Sequence, residues 1–207
     1  MAILENRKLK VLVIVAMGLA IAGCGSSGSS SGTAAGGSAA SGAGANVNAS
    51  EAQSAATGDI PDNQVFLSYK NPKAGYSIKY PEGWARKGSA NDVSFSDKDN
   101  QVRIAIGSNG SASVASARST LTNQVGSSAH LQINSAKVET ISGSPVVHIV
   151  YREQGPPDPV TGKRLTVMVD RYVLSKGGRV ATVDESTPVG VDNVDAYRLI
   201  IQSFKWG

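Results

Sequence analysis

Only a few side chains in this sequence have the types and spacing that catalysis or metal binding requires. The chain has two histidines, His130 and His148, and a single cysteine, Cys24. Their separation in sequence gives no metal-ligand pair. His148 alternates with Val146 and Val150, which predicts a position on a covered sheet face rather than a ligand or a base. We therefore predict no metal site, no cofactor and no catalytic residue set.

Two short motifs resemble ion-binding or phosphate-binding loops but lack residues that such loops need. Asp97-Lys98-Asp99-Asn100 begins like a calcium loop, yet Val102 and Ser108 stand where Gly and Glu are required. Gly162-Lys163-Arg164 ends like a phosphate loop, yet Pro157 stands where its first glycine is required. We interpret the first motif as a hairpin turn and exclude a phosphate loop at the second.

A turn-rich segment between Glu153 and Lys163 is the candidate recognition loop. Its prolines restrict the unbound chain and so reduce the entropy that is lost on binding. The candidate contact residues are Pro156, Pro157, Asp158, Lys163 and Arg164. The charged members of this set, and the adjacent acids Asp184 and Glu185, form polar sites only if the fold brings them together. The simpler explanation, which we favour, is that these charges keep hairpins soluble.

The N-terminus has the pattern of a bacterial export signal. Arg7, Lys8 and Lys10 precede an uncharged apolar run over 11–22, which is short for a membrane span. The run ends in Ile21-Ala22-Gly23-Cys24, which resembles the bacterial lipobox. In a lipobox the chain is cut before the cysteine, whose thiol carries a diacylglycerol with fatty acids such as palmitate. We predict that residues 1–23 are a lipoprotein signal peptide and that acylated Cys24 anchors the chain in membrane lipid.

Residues 24–59 comprise the lipidation cysteine and a linker. Between positions 25 and 58, 27 of 34 residues are Gly, Ser or Ala, and Val47 is the only large aliphatic residue. A segment of this composition buries too little apolar surface to offset the entropy of ordering. We predict a disordered tether with a root-mean-square span of roughly 30 Å.

The remaining residues, 60–207, have the composition of one globular domain. All 11 aromatic residues and all 8 prolines of the chain lie in this part. Its 17 basic and 13 acidic residues are dispersed, without a Lys/Arg cluster interleaved with aromatic residues. This distribution argues against nucleic-acid binding and favours solvated basic faces.

Hydrophobic patterning predicts seven or eight strands and two helices in this domain. Strands alternate apolar and polar residues, and the two glycines of Lys176-Gly177-Gly178-Arg179 indicate a tight hairpin turn. Apolar spacings of three and four predict a helix over 111–128, capped by Ser111 or Ser113, and another near 190–204. The order ββββ-α-ββββ-α with hairpin connections predicts an α+β fold, in which a mainly antiparallel β-sheet packs against helices.

The run Gly75-Tyr76-Ser77-Ile78-Lys79-Tyr80-Pro81-Glu82-Gly83-Trp84 resembles the opening motif of PsbP-like domains. The terminal helix also resembles that family's ending, so the resemblance covers about residues 62–206. The physical role of the motif is structural. Pro81 ends a strand because it cannot donate to a ladder, Gly83 permits a turn, and Trp84 is expected to cover one end of the core. The motif residues are Gly75, Tyr76, Tyr80, Pro81, Gly83 and Trp84.

The resemblance implies an antiparallel sheet sandwiched by helices, with no shared set of catalytic residues. The family contains photosystem II extrinsic subunits and exported bacterial lipoproteins. We therefore predict a non-enzymatic lipoprotein, anchored to the extracytoplasmic face of the cell membrane, whose domain binds or assembles with another envelope component, foremost a protein. Two alternatives stay open. One is a module for a small ligand or metal ion, including a photosystem II-associated role, and the other is an envelope hydrolase, which needs Ser, His and Asp to converge.

Overall fold

A computed structural model of the chain describes residues 58–108, 112–126, 130–158 and 160–207, with only the backbone described at Pro156. The signal peptide, the lipobox with Cys24, most of the tether and Ser111 lie outside the described residues. The described elements are β1 (Phe66–Asn71), β2 (Tyr76–Pro81), β3 (Ala85–Ser89), β4 (Asp92–Asp97), β5 (Asn100–Ser108), α1 (Val114–Val125), β6 (Gln132–Ile141), β7 (Ser144–Pro157), β8 (Arg164–Lys176), β9 (Arg179–Pro188), α2 (Val194–Gln202) and β10 (Lys205–Trp206).

The described strands form two antiparallel sheets. The larger sheet has seven strands in the order β3-β4-β5-β9-β8-β7-β6, and the smaller has three in the order β1-β2-β10. All strand pairs among the described residues run antiparallel. The predicted α+β class with a mainly antiparallel sheet is therefore confirmed.

Both faces of the seven-stranded sheet are covered. α1 covers one face through Ala117 and Leu121, which pack with sheet residues of one parity. The partners of α1 are Val147, Ile149, Tyr151, Val169 and Val173. The other face is covered by a layer that contains both the three-stranded sheet and α2. This layer and the sheet face beneath it share one core, which includes Tyr76, Ile78, Phe95, Ile104, Val183, Tyr197, Ile200 and Ile201. Each helix packs on the sheet as predicted, on opposite sides.

Aromatic stacking joins the small sheet to the rest of the core. The Tyr80 ring stacks on the Phe95 ring with centroids 4.2 Å apart, and the Tyr76 ring stacks on the Phe204 ring at 5.7 Å. The first pair connects the small sheet to the large one, and the second connects β2 to the segment that follows α2. Such pairs add about 0.5–1.5 kcal/mol beyond the burial of their area.

The rest of the aromatic motif shapes a turn and a close contact. Pro81 is the last residue of β2, and Gly83 has a positive φ of 89° in the turn that follows. Trp84 is buried in the core, 9% exposed. Gly75 also has a positive φ, and its backbone lies against the Arg179 guanidinium, where a Cβ would approach within 3.0 Å.

Two observed strands, β3 and β10, are not among the seven or eight that the sequence predicts. All five residues of β3 are exposed, so this strand lacks the apolar alternation that would reveal it. The strand β10 has only two residues and pairs with β2 at Ser77 and Tyr76. Both strands lie at sheet edges. An edge strand pairs with a neighbour on one side only and need not bury apolar side chains.

The two helices are shorter than predicted. α1 has 12 residues, with Ser113 as its N-cap accepting a hydrogen bond from the Ser116 backbone, so the second of the two proposed caps is the one observed. α2 has 9 residues, and the chain turns after Gln202 before β10. Neither described helix has the length and apolar character needed to cross a bilayer.

The hairpin turns agree with the sequence, but the long loop does not. Lys176 pairs with Arg179 around Gly177 and Gly178, both at positive φ, and Asp97 pairs with Asn100. The predicted loop over 153–163 is wrong for its first five residues, because β7 continues to Pro157 and pairs with β8. A register shift between Gln154 and Pro157 accommodates the proline-rich stretch. Irregular pairing of this kind is how prolines are tolerated in strands.

A buried polar cluster fastens the start of the described chain to the segment before α2. The Asn193 side chain accepts a hydrogen bond from the Ile60 backbone (2.7 Å) and donates to Asn100 Oδ1 and Thr187 Oγ1, both at 3.1 Å. Asn100 in turn donates to the Gly58 carbonyl. Asn193 and Asn100 are 3% exposed, so few of these bonds compete with water. This cluster, which we call the asparagine lock, holds residues 188–193 in place.

Loss of the lock should destabilise the domain. Asn193→Ala leaves buried partners without hydrogen bonds, which costs about 1–3 kcal/mol for each unsatisfied group. We expect urea-unfolding curves to show a loss of at least about 2 kcal/mol for this variant. Asn91→Ala, at an exposed turn position, is the control and should change stability by no more than about 0.5 kcal/mol. Equal effects of the two changes would contradict the role of the lock.

Candidate functional site

A cleft of about 540 Å³ lies between the seven-stranded sheet and α2. Strands β6 to β9 form its floor, and residues 188–191 with α2 form its opposite wall. Clefts of about 300–1,000 Å³ are typical of small-molecule sites. The asparagine lock positions this wall, because Thr187 and Asn193 border the cleft and belong to the lock.

The walls of the cleft are largely apolar and its rim exposes two valines. The apolar lining consists of Ile141, Met168, Pro188, Val189, Val191, Val194 and Ile201. At the rim, Val189 is 47% exposed and Val194 is 60% exposed. Apolar side chains at the mouth of a concave site are available to a partner without any rearrangement of the fold.

His148 lies on the floor of the cleft between two carboxylates. Its Nε2 is 2.6 Å from Asp170 Oδ1, and its Nδ1 is 3.2 Å from Glu139 Oε1. The first contact is a hydrogen bond, whereas the second has the distance of an ion pair without hydrogen-bond geometry. The Tyr172 ring stacks on the imidazole with centroids 4.3 Å apart. His148 is thus buried as predicted, and it also faces the cleft.

Strand register brings these residues together. His148 of β7 is directly opposite Tyr172 of β8, and Asp170 precedes Tyr172 by two residues on the same face. Glu139 reaches the same face from β6 because it pairs with Val146. The sequence signal for this cluster is Asp170, a charge that interrupts the apolar set of β8.

Glu185 is a fully buried carboxyl at the base of the cleft. Its residue is 0% exposed, and neither carboxyl oxygen has a hydrogen-bond partner among the described residues. Burial, together with the negative charges of Asp170 and Asp184, raises the pKa of Glu185 well above its ordinary value. The carboxyl therefore stays protonated at pH values where an exposed glutamate is ionised. The explanation that Asp184 and Glu185 keep a hairpin soluble is wrong, because Glu185 is fully buried and Asp184 is paired with Arg171 on the opposite face.

Asp184 has a different and fully paired environment on the opposite face of the sheet. It accepts two hydrogen bonds from Arg171, at 2.6 and 2.7 Å. Arg171 also donates to Gln124 of α1 and lies over the Tyr151 ring. This arrangement satisfies a buried guanidinium, so we assign it to stability rather than to binding.

Arg152 also has a buried polar atom without a hydrogen bond at the cleft, in addition to the Glu185 carboxyl and His148 Nδ1. It faces Met168 across β7 and β8, and its Nε is buried without a hydrogen-bond partner in the described part of the chain. Buried polar atoms are rarely left unpaired in native structures. The Nε of Arg152 and the carboxyl of Glu185 are therefore groups that a ligand in the cleft would satisfy.

The sequence-predicted recognition residues lie at the β7–β8 hairpin, away from the Glu185 cleft. Asp158 accepts hydrogen bonds from the Val160 and Thr161 backbones and the Thr161 hydroxyl, which hold its pKa below the usual range. Arg164 donates to the Gly155 carbonyl. Pro157, Asp158 and Lys163 border a separate cleft of about 610 Å³. The polar contacts of Asp158 and Arg164 stabilise their own hairpin, so the recognition role stays a prediction.

The remaining chemistry-bearing residues do not join a site. His130 has an exposed position at a positive φ of 51° and does not line either cleft. Among the residues whose positions are described, no serine lines the cleft beside His148. Across 58–108, 112–126, 130–158 and 160–207, no three His, Cys, Asp or Glu side chains are placed to hold a metal ion.

The domain has a PsbP-like fold. The structure of cyanobacterial PsbP (CyanoP) from Synechocystis sp. superimposes with a TM-score of 0.53, covering 72% of this chain and 98% of CyanoP at 18% sequence identity. This identity establishes the fold and nothing further. The predicted resemblance to PsbP-like domains is thereby confirmed for the architecture. No protein-family model matches the sequence, and comparison with curated proteins gave no match.

Two other solved structures show weaker similarity. LpqN of Mycobacterium tuberculosis, described as involved in cell envelope biogenesis, has a TM-score of 0.42 at 13% identity, with 70% of this chain and 91% of LpqN covered. The Ran-binding protein Mog1p of Saccharomyces cerevisiae has a TM-score of 0.47 at 9% identity, with 70% and 96% covered. These values are too low to support conclusions about this chain.

Replacing Glu185 should stabilise the domain. Glu185→Leu removes a buried unpaired carboxyl, and we expect a gain of about 1–3 kcal/mol in the free energy of unfolding at pH 7. Because the folded-state pKa of Glu185 is raised, this carboxyl costs the parent no ionisation penalty below the ordinary glutamate pKa. As pH rises from there toward the raised value, the unfolded state ionises first and the parent loses stability. The gain should therefore be larger at pH 7 than at pH 4. Urea unfolding at both pH values measures it.

The neighbouring acid provides the control. Asp184→Leu leaves Arg171 buried without its carboxylate, which should cost about 3–5 kcal/mol. The two variants remove adjacent carboxyls of the same strand. A gain in the free energy of unfolding for one and a loss for the other would therefore reflect the different partners of the two carboxyls. A Glu185→Leu variant that is less stable than the parent at pH 7 would show that the carboxyl is paired in solution.

Proposed function

We propose that this chain is a membrane-anchored, extracytoplasmic lipoprotein whose PsbP-like domain is a non-enzymatic binding module for another envelope component. The cleft that contains Glu185 and His148 is its binding site. The observation that carries the proposal is that the Glu185 carboxyl and Arg152 Nε, two of the buried polar groups at this cleft, have no hydrogen-bond partner among the described residues. A domain that keeps such groups at a cost in stability does so most simply for a ligand or partner.

A binding role is favoured over catalysis by the surroundings of His148. Both ring nitrogens face carboxylate oxygens, so neither is directed at a substrate. The Glu185 carboxyl lies at the base of the cleft with a pKa raised well above its ordinary value, so it holds a proton rather than accepting one. A general base must reach the proton that it removes, and these groups instead act as fixed recognition features.

The anchor is supported by the sequence before the domain. Ile21-Ala22-Gly23-Cys24 has the lipobox pattern, and Cys24 is the only cysteine in the chain. The 33 residues between Cys24 and Gly58 separate the acylated residue from the fold. A tether of this length allows the domain to reach partners near the membrane while acyl chains hold it there.

The second candidate is a module for a small ligand, and the size and mostly apolar walls of the cleft favour it. A volume of about 540 Å³ with mostly apolar walls is suited to a compact molecule with a few polar groups. The two candidates differ in what enters the cleft: a side chain or loop of a larger envelope component in the first, and a whole free molecule in the second.

The anchor is tested by changing its cysteine. In cells supplied with labelled palmitate, Cys24→Ala should lose the label and shift the protein out of the membrane fraction. The fold of 58–207 should be unaffected, because Cys24 lies before it. Ser26→Ala, two residues away, is the control and should keep the label. Label retained in Cys24→Ala would refute acylation at this residue.

The binding site is tested with a photo-crosslinking amino acid at the cleft rim. Val194 at the rim is 60% exposed, and Val138, which alternates with the cleft-facing Glu139 on β6, is 58% exposed. The two sites thus match in exposure and differ in face. On intact cells we expect a discrete envelope adduct from position 194 and none from position 138. Equal labelling from both positions, or none from 194, would contradict a partner at the cleft.

A further inference from the structure

Three lysines that are distant in sequence meet on the outer face of the three-stranded sheet. Lys70 of β1 and Lys205 of β10 both pair with Ser77 of β2, one from each side. Lys79 follows two residues later on β2 and so projects from the same face as Ser77. All three lysines are exposed. We call this surface the lysine face.

The charges of the lysine face are not neutralised within the domain. None of the three ammonium groups forms an ion pair with a carboxylate among the residues that the structure describes. Like charges on neighbouring strands repel each other, so this grouping is unfavourable unless an anion approaches. The sequence predicted dispersed basic residues, and strand pairing concentrates three of them.

Apolar surface adjoins the charges. A shallow groove runs between the small sheet and α2, bordered by Lys79, Lys205 and Leu199. None of the described acidic residues lines it. Leu199 is 38% exposed beside the two ammonium groups. Exposed leucine next to lysines matches the interface of a bilayer, where phosphates lie beside the first methylene groups.

We propose that the lysine face docks on anionic lipid headgroups of the membrane that holds the anchor. The partner that we propose is the lipid surface itself. The positive charge of the lysine face and the adjoining Leu199 both favour this partner. The proposal goes beyond the binding cleft, and it rests on the proposed anchor only for the identity of the membrane.

Weak docking suffices because the tether keeps the domain near the surface. Roughly 30 Å of predicted span confines the domain to a thin shell, where the effective concentration of headgroups is high. Each basic residue near an anionic leaflet strengthens binding about fivefold, which corresponds to about 1 kcal/mol. Three lysines together give a factor on the order of one hundred.

The test uses residues 25–207 without an acyl group, so its outcome does not depend on lipidation at Cys24. Sedimentation with phosphatidylglycerol vesicles should show binding that weakens as salt rises, and phosphatidylcholine vesicles should bind far less. The Lys70→Gln/Lys79→Gln/Lys205→Gln triple variant should lower the partition coefficient about a hundredfold.

The control variant carries the same change in net charge on other surfaces. Lys87→Gln/Lys98→Gln/Lys176→Gln alters three exposed lysines outside the small sheet. It should keep most of the vesicle binding. Thermal unfolding of both triple variants checks that they fold, and the three single Lys→Gln variants, each expected to lose about fivefold, replace the triple if it does not.

Four outcomes would overturn the proposal. The first is an equal loss of binding in both triple variants, which would indicate diffuse attraction by net charge. The second is no binding to phosphatidylglycerol at low salt. The third is equal binding to phosphatidylcholine. The fourth is full competition by 10 mM inorganic phosphate at constant ionic strength, about ten times a millimolar site affinity, which would indicate a phosphate site instead of a lipid surface.

Discussion

The covering of both faces of the seven-stranded sheet is the constraint on which the other features depend. Once α1 lies on one face and α2 with the small sheet on the other, a charge on a central strand has no water to solvate it. Arg171 meets this condition by donating two hydrogen bonds to Asp184. The His148 ring places its two nitrogens against Glu139 and Asp170. Glu185 has no such partner and instead remains protonated. The cleft owes its polarity to the places where the covering layer is incomplete.

The sequence predicts the class of fold well because strand alternation and paired glycines are local signals. The Gly177-Gly178 turn, the Ser113 cap and the antiparallel arrangement all follow from residues that lie close together in the chain. The exposed β3 strand carries no such signal. The cleft could not be predicted, because His148 and Asp170 are 22 residues apart and meet only through register. Burial of Glu185 was also hidden, since an acid beside Asp184 looks solvent-facing until a second layer is known to cover it.

The layer formed by α2 and the small sheet has two working surfaces. Its inner side closes over the sheet and borders the cleft with Val194 and Tyr197. Its outer side carries Lys70, Lys79 and Lys205. Aromatic contacts between Tyr76 and Phe204 hold the two parts of this layer together. This closely packed layer therefore borders the cleft on one side and presents a basic surface on the other. Close packing leaves the two surfaces little room to move relative to each other.

The asparagine lock also determines how mechanical load enters the domain. Gly58 and Ile60 are held by Asn100 and Asn193, so tension along the preceding chain acts first on these hydrogen bonds and not on a strand end. Asn193 borders the cleft. A pull on the chain before Gly58 would therefore strain the cleft wall before any strand pair separates. The hydrogen bonds of the asparagine lock would carry this force first, and they also shape the cleft. A force on the chain and a ligand in the cleft would therefore act on the same few atoms.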